Sequence, residues 1–221
     1  MPSVKIPRKS TATDMTPFVD IAFLILSFFI MATKFKPAEP VPVTTPNSVS
    51  SDILKEENSM LITIDKDSRV FVKFNIVKGD KEAVQQKYLQ IIEGLNGARG
   101  LGLTTAQKQN FQKTNAIGVP LNALGGLLKI PADQQGNVKQ PGIPVLDTLN
   151  NELIWWVGAA KTAFANQKLM YLLKGDNVSK FPTFEAVINA LRRNEVFKYN
   201  LVTSQEQAPE GTELYRERNK K

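Results

Sequence analysis

Residues 15–33 read MTPFVDIAFLILSFFIMAT, an apolar run with a single carboxylate inside it, and no other feature of the chain restricts its fold as strongly. A helix needs about 20 predominantly apolar residues to cross a hydrocarbon core of about 30 Å. The run has that length, and Lys5, Arg8 and Lys9 precede it while Lys34 and Lys36 follow. A membrane-spanning helix is therefore expected over 15–35. A cleaved signal peptide is the competing reading, but its apolar core is shorter, about 7–15 residues, and it ends in a small-x-small cleavage site. Met31-Ala32-Thr33 is a poor site of that kind, and an internal Asp does not suit a signal core, so the segment is read as a retained anchor. Basic residues favour the cytoplasmic side of a span. Three stand before the run and two after it, so 1–14 is expected in the cytoplasm. The chain from about Lys34 onward then lies on the far side, the periplasm in a bacterium.

Asp20 is bracketed almost symmetrically by Lys9 and Lys34. A carboxylate at the centre of a span costs about 2.5–3.5 kcal/mol even on the lenient insertion scale, so it requires a compensating reason. At about 100° per residue, Thr13, Thr16, Asp20 and Ser27 fall within roughly one 60° sector, while Phe18, Ile21, Ile25, Phe28 and Phe29 lie elsewhere. Polar groups facing lipid are left without partners, so this face is expected to look into protein or a water-filled cleft. A low-dielectric setting disfavours the ionised form of a carboxyl group, which suits it to take up a proton on one side and release it on the other. The alternative is that Asp20 bonds a neighbouring helix as assembly glue, or lies near enough to the interface to stay hydrated. Pro17 fits a helix start, where a missing N–H is harmless, with Asp14 or Thr13 capping the first turn.

The remaining composition excludes most other chemistry. The chain has 221 residues, 42% hydrophobic and 22% charged, enough for one globular domain plus extra segments. It contains no Cys and no His, which removes disulfides, thiolates, imidazole bases and Cys/His metal sites, and neither a cofactor nor a metal is expected. Net charge is +7, but Lys and Arg are scattered from Lys5 to Lys221 rather than gathered with aromatics, which argues against nucleic-acid binding. Gly97, Gly100 and Gly102 are not followed by the Lys-Ser/Thr of a phosphate loop. Asp65, Asp67, Asp147 and Glu152 read as turn and helix-end residues, so no catalytic residue is assigned and the chain is not expected to be an enzyme.

Thr16-Pro17-Phe18-Val19-Asp20, preceded by Asp14-Met15 and followed by the apolar run, resembles the Thr-Pro-φ-φ-Asp signature that opens the transmembrane helix of the ExbD/TolR family. Leu169–Thr203 resembles the family's periplasmic ending of strand, helix and strand, with Asp176 in the turn, a helix over Phe184–Arg193 and a last strand over Lys198–Val202. The resemblance implies a subunit lodged in a ring of polytopic ExbB- or TolQ-like partners in the bacterial inner membrane. Asp20 is then the proton-translocating residue, and Thr16 faces the same path. It further implies work passed to a TonB-like or envelope-linking periplasmic protein, and a dimer of this chain is expected. Two roles stay open, an ExbD-like one powering TonB-type transport and a TolR-like one in envelope integrity. A passive single-pass scaffold is the reading from another class. The chain departs from short family members by a long interposed stretch and by lacking the usual Gly near Arg193-Asn194-Glu195.

The fold class expected is a membrane-anchored α+β protein: one transmembrane helix, a Pro-rich linker over 36–51, a small αβ domain over 52–203 and a mobile tail over 204–221. Pro37, Pro40, Pro42 and Pro46 make the linker extended and semi-rigid. Met60–Asp65 and Arg69–Val77 read as a hairpin, Ala83–Leu95 as a helix, and Pro144–Asn166 as a long helix with Val145, Leu149, Leu153, Trp156, Ala160 and Phe164 on one side. An insertion at about 79–144 is read as helix-rich, flexible in its Gly-rich part. Trp155-Trp156 is assigned to the core.

Overall fold

The computed structural model describes residues 15–32, 41–49, 58–77, 79–147 and 149–205. They belong to two units, one ending at Glu39 and one beginning at Pro40. Thr13, the rest of 1–14, most of the join between the units and the tail beyond Gln205 lie outside the described residues.

The first unit contains α1, Thr16–Ala32, a helix of 17 residues in which none is buried. The N–H groups of Phe18 and Val19 both donate to the Met15 carbonyl at 3.1 Å, so the helix starts where Pro17 has no N–H to lose. At 1.5 Å per residue it rises about 25 Å. No helix among the described residues is long and apolar enough to cross a membrane.

The second unit is a mixed α+β domain. Strand β1 is Asn47–Ser48, β2 Ser59–Ile64 and β3 Val70–Asn75. Helix α2 is Lys81–Arg99, α3 Thr105–Phe111, α4 Leu121–Lys129 and α5 Leu153–Ala163. Strand β4 is Met170–Gly175, α6 Phe181–Arg193, β5 Asn200–Leu201 and β6 Ser204–Gln205. The main sheet runs β3-β2-β4-β5. β2 and β3 are antiparallel, while β2 with β4 and β4 with β5 are parallel, so β4-α6-β5 is a crossover unit.

Alternation builds the core. Met60, Ile62 and Ile64 of β2 pair with Phe74, Val72 and Val70 of β3, and Met60 and Ile62 with Tyr171 and Leu173 of β4, which puts all of them on one face. Ile91, Ile92 and Leu95 of α2, Leu153, Trp156 and Val157 of α5, and Val187, Ala190 and Leu191 of α6 join them in one buried cluster. The hairpin turn is held by Asp65, whose Oδ1 accepts the N–H of Asp67 at 3.0 Å and of Arg69 at 2.8 Å. Ser68 takes the left-handed conformation there, with φ 61°.

Several expectations are corrected. The interposed stretch is helix-rich, as expected, but its Gly-rich part, read as flexible, is packed: Leu103, Phe111, Ile117, Leu121, Leu124 and Leu128 are part of the main core. Helical spacing of leucines across α4 does this despite the surrounding glycines. The same stretch closes the outer edge of β3, since Val72 and Ile117 exchange N–H···O bonds of 2.8 and 2.9 Å, and the Ile143 N–H donates to Val70 O at 2.8 Å. Gly118 allows that approach, because a Cβ there would stand 2.2 Å from Cδ1 of Phe71.

The long helix expected over 144–166 begins only at Leu153. Side chains ahead of it bind backbone instead: Asp147 Oδ1 accepts the Leu149 N–H at 2.9 Å, and Asn151 Oδ1 accepts the Leu153 N–H at 3.1 Å. Such local bonds compete with helical ones. Leu149, expected on the buried side, is 94% exposed. Of the tryptophan pair, Trp156 is fully buried between Phe74 and Phe111, whereas Trp155 is 39% exposed with the Arg99 guanidinium over its ring.

The last correction concerns the ends of the domain. Residues 41–49 of the linker lie along it: β1 pairs in parallel with β6, and the Ser204 N–H donates to Pro46 O at 3.0 Å. Ser204 and Gln205, expected in the mobile tail, are thereby strand residues.

Candidate functional site

Thr16, Pro17, Asp20 and Ser27 all lie on α1. Counted at 100° per residue, Thr16, Asp20 and Ser27 share a sector of about 40°. Thr13 lies outside the described residues. Asp20 is the fifth residue of α1, about 6 Å of helix rise from its start and about 18 Å from its end, so it is not central in the helix as the flanking lysines suggest. The Ser27 hydroxyl donates to the Leu24 carbonyl at 2.9 Å, which satisfies its donor within its own helix. Asp20 is an acceptor too far along the helix to cap its first N–H groups. Phe23 lies beside this sector, about 20° from Thr16 on the side away from Asp20, a neighbour that the count of polar residues passes over. Phe18, Phe23, Phe28 and Phe29 are each exposed, so α1 presents apolar surface on every side around one carboxylate.

The domain carboxylates are occupied structurally. Asp65, 2% exposed, also takes Arg69 Nε at 2.7 Å. Glu152 Oε2 accepts the Leu121 N–H at 2.7 Å, capping the start of α4 rather than its own helix. Asp176 shapes the turn after β4, as expected: its Oδ1 accepts the Val178 N–H at 3.0 Å. It does more than the turn requires, because its Oδ2 accepts the Thr44 N–H at 2.9 Å and so holds the linker. Burial pushes the Tyr171 phenol up to about 12 and raises that of Tyr88, so both hydroxyls stay protonated near neutrality. Among the described residues no three acidic side chains gather to hold a metal.

The described residues combine an apolar helix opening on Thr-Pro-Phe-Val-Asp with an α+β domain that carries a strand-helix-strand unit near its end. The sequence model of the family described as Biopolymer transport protein ExbD/TolR matches residues 7–206, a span that includes both α1 and the whole main sheet. The chain belongs to the ExbD/TolR family, and is thereby a biopolymer-transport motor subunit that works with membrane-motor partners. No curated protein and no solved structure matches it significantly.

Proposed function

We propose that this chain is the subunit of an inner-membrane motor that harvests the proton-motive force, ExbD-like, powering TonB-type transport across the outer membrane. The observation that carries the reading is Asp20, set in Thr16-Pro17-Phe18-Val19-Asp20 on an apolar helix, in a chain of this family. Residues 15–35 span the bilayer with the N-terminus in the cytoplasm. Seventeen helical residues are at the short end of the range of about 17–25 for a span. In that orientation Asp20 lies nearer the cytoplasmic end.

One helix cannot surround its own carboxyl group, so a ring of ExbB- or TolQ-like polytopic subunits encloses α1, and the chain enters that ring as a dimer. Asp20 takes up a proton when its face meets one aqueous route and releases it at another, with Thr16 on the same route. Moving one charge through the membrane potential is worth about 2.3 kcal/mol per 100 mV, enough to bias a repeated conformational cycle. The chain transmits this work without catalysing a covalent reaction, through its periplasmic domain, to a TonB-like partner. A TolR-like role in envelope integrity uses the same residues and differs by the partner that receives the work.

Asp20→Asn keeps size and shape and removes the titrating proton. The expected result is an assembled complex that no longer supports proton-driven uptake. Uptake that persists in this variant, or that ignores collapse of the proton gradient, overturns the proposal. Loss of assembly together with gradient-independent activity of the native chain would instead identify a passive scaffold.

A further inference from the structure

A groove of about 620 Å³ lies between the segment leading into α5 and the outer stripe of α6. Val145, Ile154 and Ala186 form its floor, and the Asn151 amide, donating to Ala186 O at 3.0 Å, fastens the two walls together. Leu146 stands on the rim at 66% exposure, with Leu149 close by in sequence. Both leave apolar surface in water that a covering segment would remove from it. The α6 wall has a direction. Pro182, Glu185, Asn189 and Arg192 recur at helical spacing along the groove, which puts Glu185 near one end and Arg192 with Arg193 at the other, about 10.5 Å of helix rise apart. Last-turn arginines complement the helix dipole. That accounts for their sign and not for the apolar floor beside them, and among the described residues neither takes part in a salt bridge.

We propose that this groove is a docking site for a short segment of a partner protein that carries leucine-like side chains beside carboxylates. The apolar residues seat on Val145, Ile154 and Ala186, and the carboxylates meet Arg192 and Arg193, whose planar guanidinium groups suit bidentate pairing. Glu185 repels the acidic end of a segment entering the wrong way round, so charge fixes direction as well as affinity. The inference does not depend on Asp20 or on the motor reading.

The test uses the full chain in lipid nanodiscs and a fluorescein-labelled peptide of leucine and glutamate, compared with the same peptide carrying lysine for glutamate. The glutamate peptide is expected to bind saturably and the lysine peptide not. Arg192→Glu with Arg193→Glu should weaken binding by about tenfold or more, and so should Leu146→Asp. All three residues are exposed, so unchanged melting temperatures separate lost docking from lost folding. Equal binding of the two peptides, or binding indifferent to these substitutions, overturns the assignment. So does stronger occupation of the groove by a labelled polyuronate or by a second copy of this chain.

Discussion

Gly118→Ala is the substitution for which the fold makes the sharpest demand. The added Cβ would lie 2.2 Å from Cδ1 and 2.3 Å from Cε1 of Phe71, far inside van der Waals contact. Phe71 has little room to yield, since it is 4% exposed and the Arg69 guanidinium sits 5.7 Å from its ring centre. Either the ring leaves its place, at the roughly 1–3 kcal/mol typical of overpacking, or the 116–119 segment lifts off β3. Lifting gives up the Val72–Ile117 pair of hydrogen bonds, worth about 1 kcal/mol each. Either route leads to a loss of about 1–3 kcal/mol. For a domain of this size each kcal/mol moves the melting temperature by about 2–4 °C, so a fall of about 2–12 °C is expected. Thermal melts of the detergent-solubilised chain, followed by the fluorescence of the buried Trp156, measure it. Gly126→Ala is the matched control: Gly126 is interior to α4 with nothing within 4 Å of its Cβ position, so the same methyl group should stabilise by roughly 0.5–1 kcal/mol. A melting temperature for Gly118→Ala within about 1 °C of the parent would refute the packing of 116–119 against β3.

Asp176→Ala strips acceptors from the N–H groups of Thr44 and Val178, with an expected loss of about 1–3 kcal/mol and faster proteolytic cutting within 41–49, read by limited proteolysis of the full chain. The Lys161 ammonium, hydrogen-bonded at 2.9 Å, holds the Glu195 carboxyl below its ordinary value of 4.5. A lowered folded-state value means that the link contributes above that ordinary value and fades as acid protonates Glu195. Glu195→Gln should therefore lower the melting temperature slightly at pH 7 and progressively less as the pH falls below 4.5, and high salt should erase even the neutral-pH difference, because the pair is on the surface.

The parts of this fold that the sequence makes legible are those whose reasons are local. Alternation in 60–64 and 70–74 exposes the hairpin, and Val187 and Leu191 at helical spacing expose α6, two residues into which Pro182 also fits. Val145 and Leu149 imitate that spacing ahead of α5, and only the binding of Asp147 and Asn151 side chains to backbone tells the segment from a helix. The edge closure of β3 rests on Val72 and Ile117, which are 45 residues apart and carry no pattern linking them. Asp20 stands out in the sequence because a charge among apolar residues is costly wherever it stands. Phe23, its neighbour on the same face, looks in sequence like any other apolar residue of the run.

With Ile117 and Ile143 closing the far side of β3, the main sheet keeps one margin unpaired among the described residues, along β5. Such a sheet can accept one added strand and then has no open side left for a second. If two copies meet there, the contact completes itself as a pair, and the growth of an endless ribbon of subunits is blocked by the construction of a single domain.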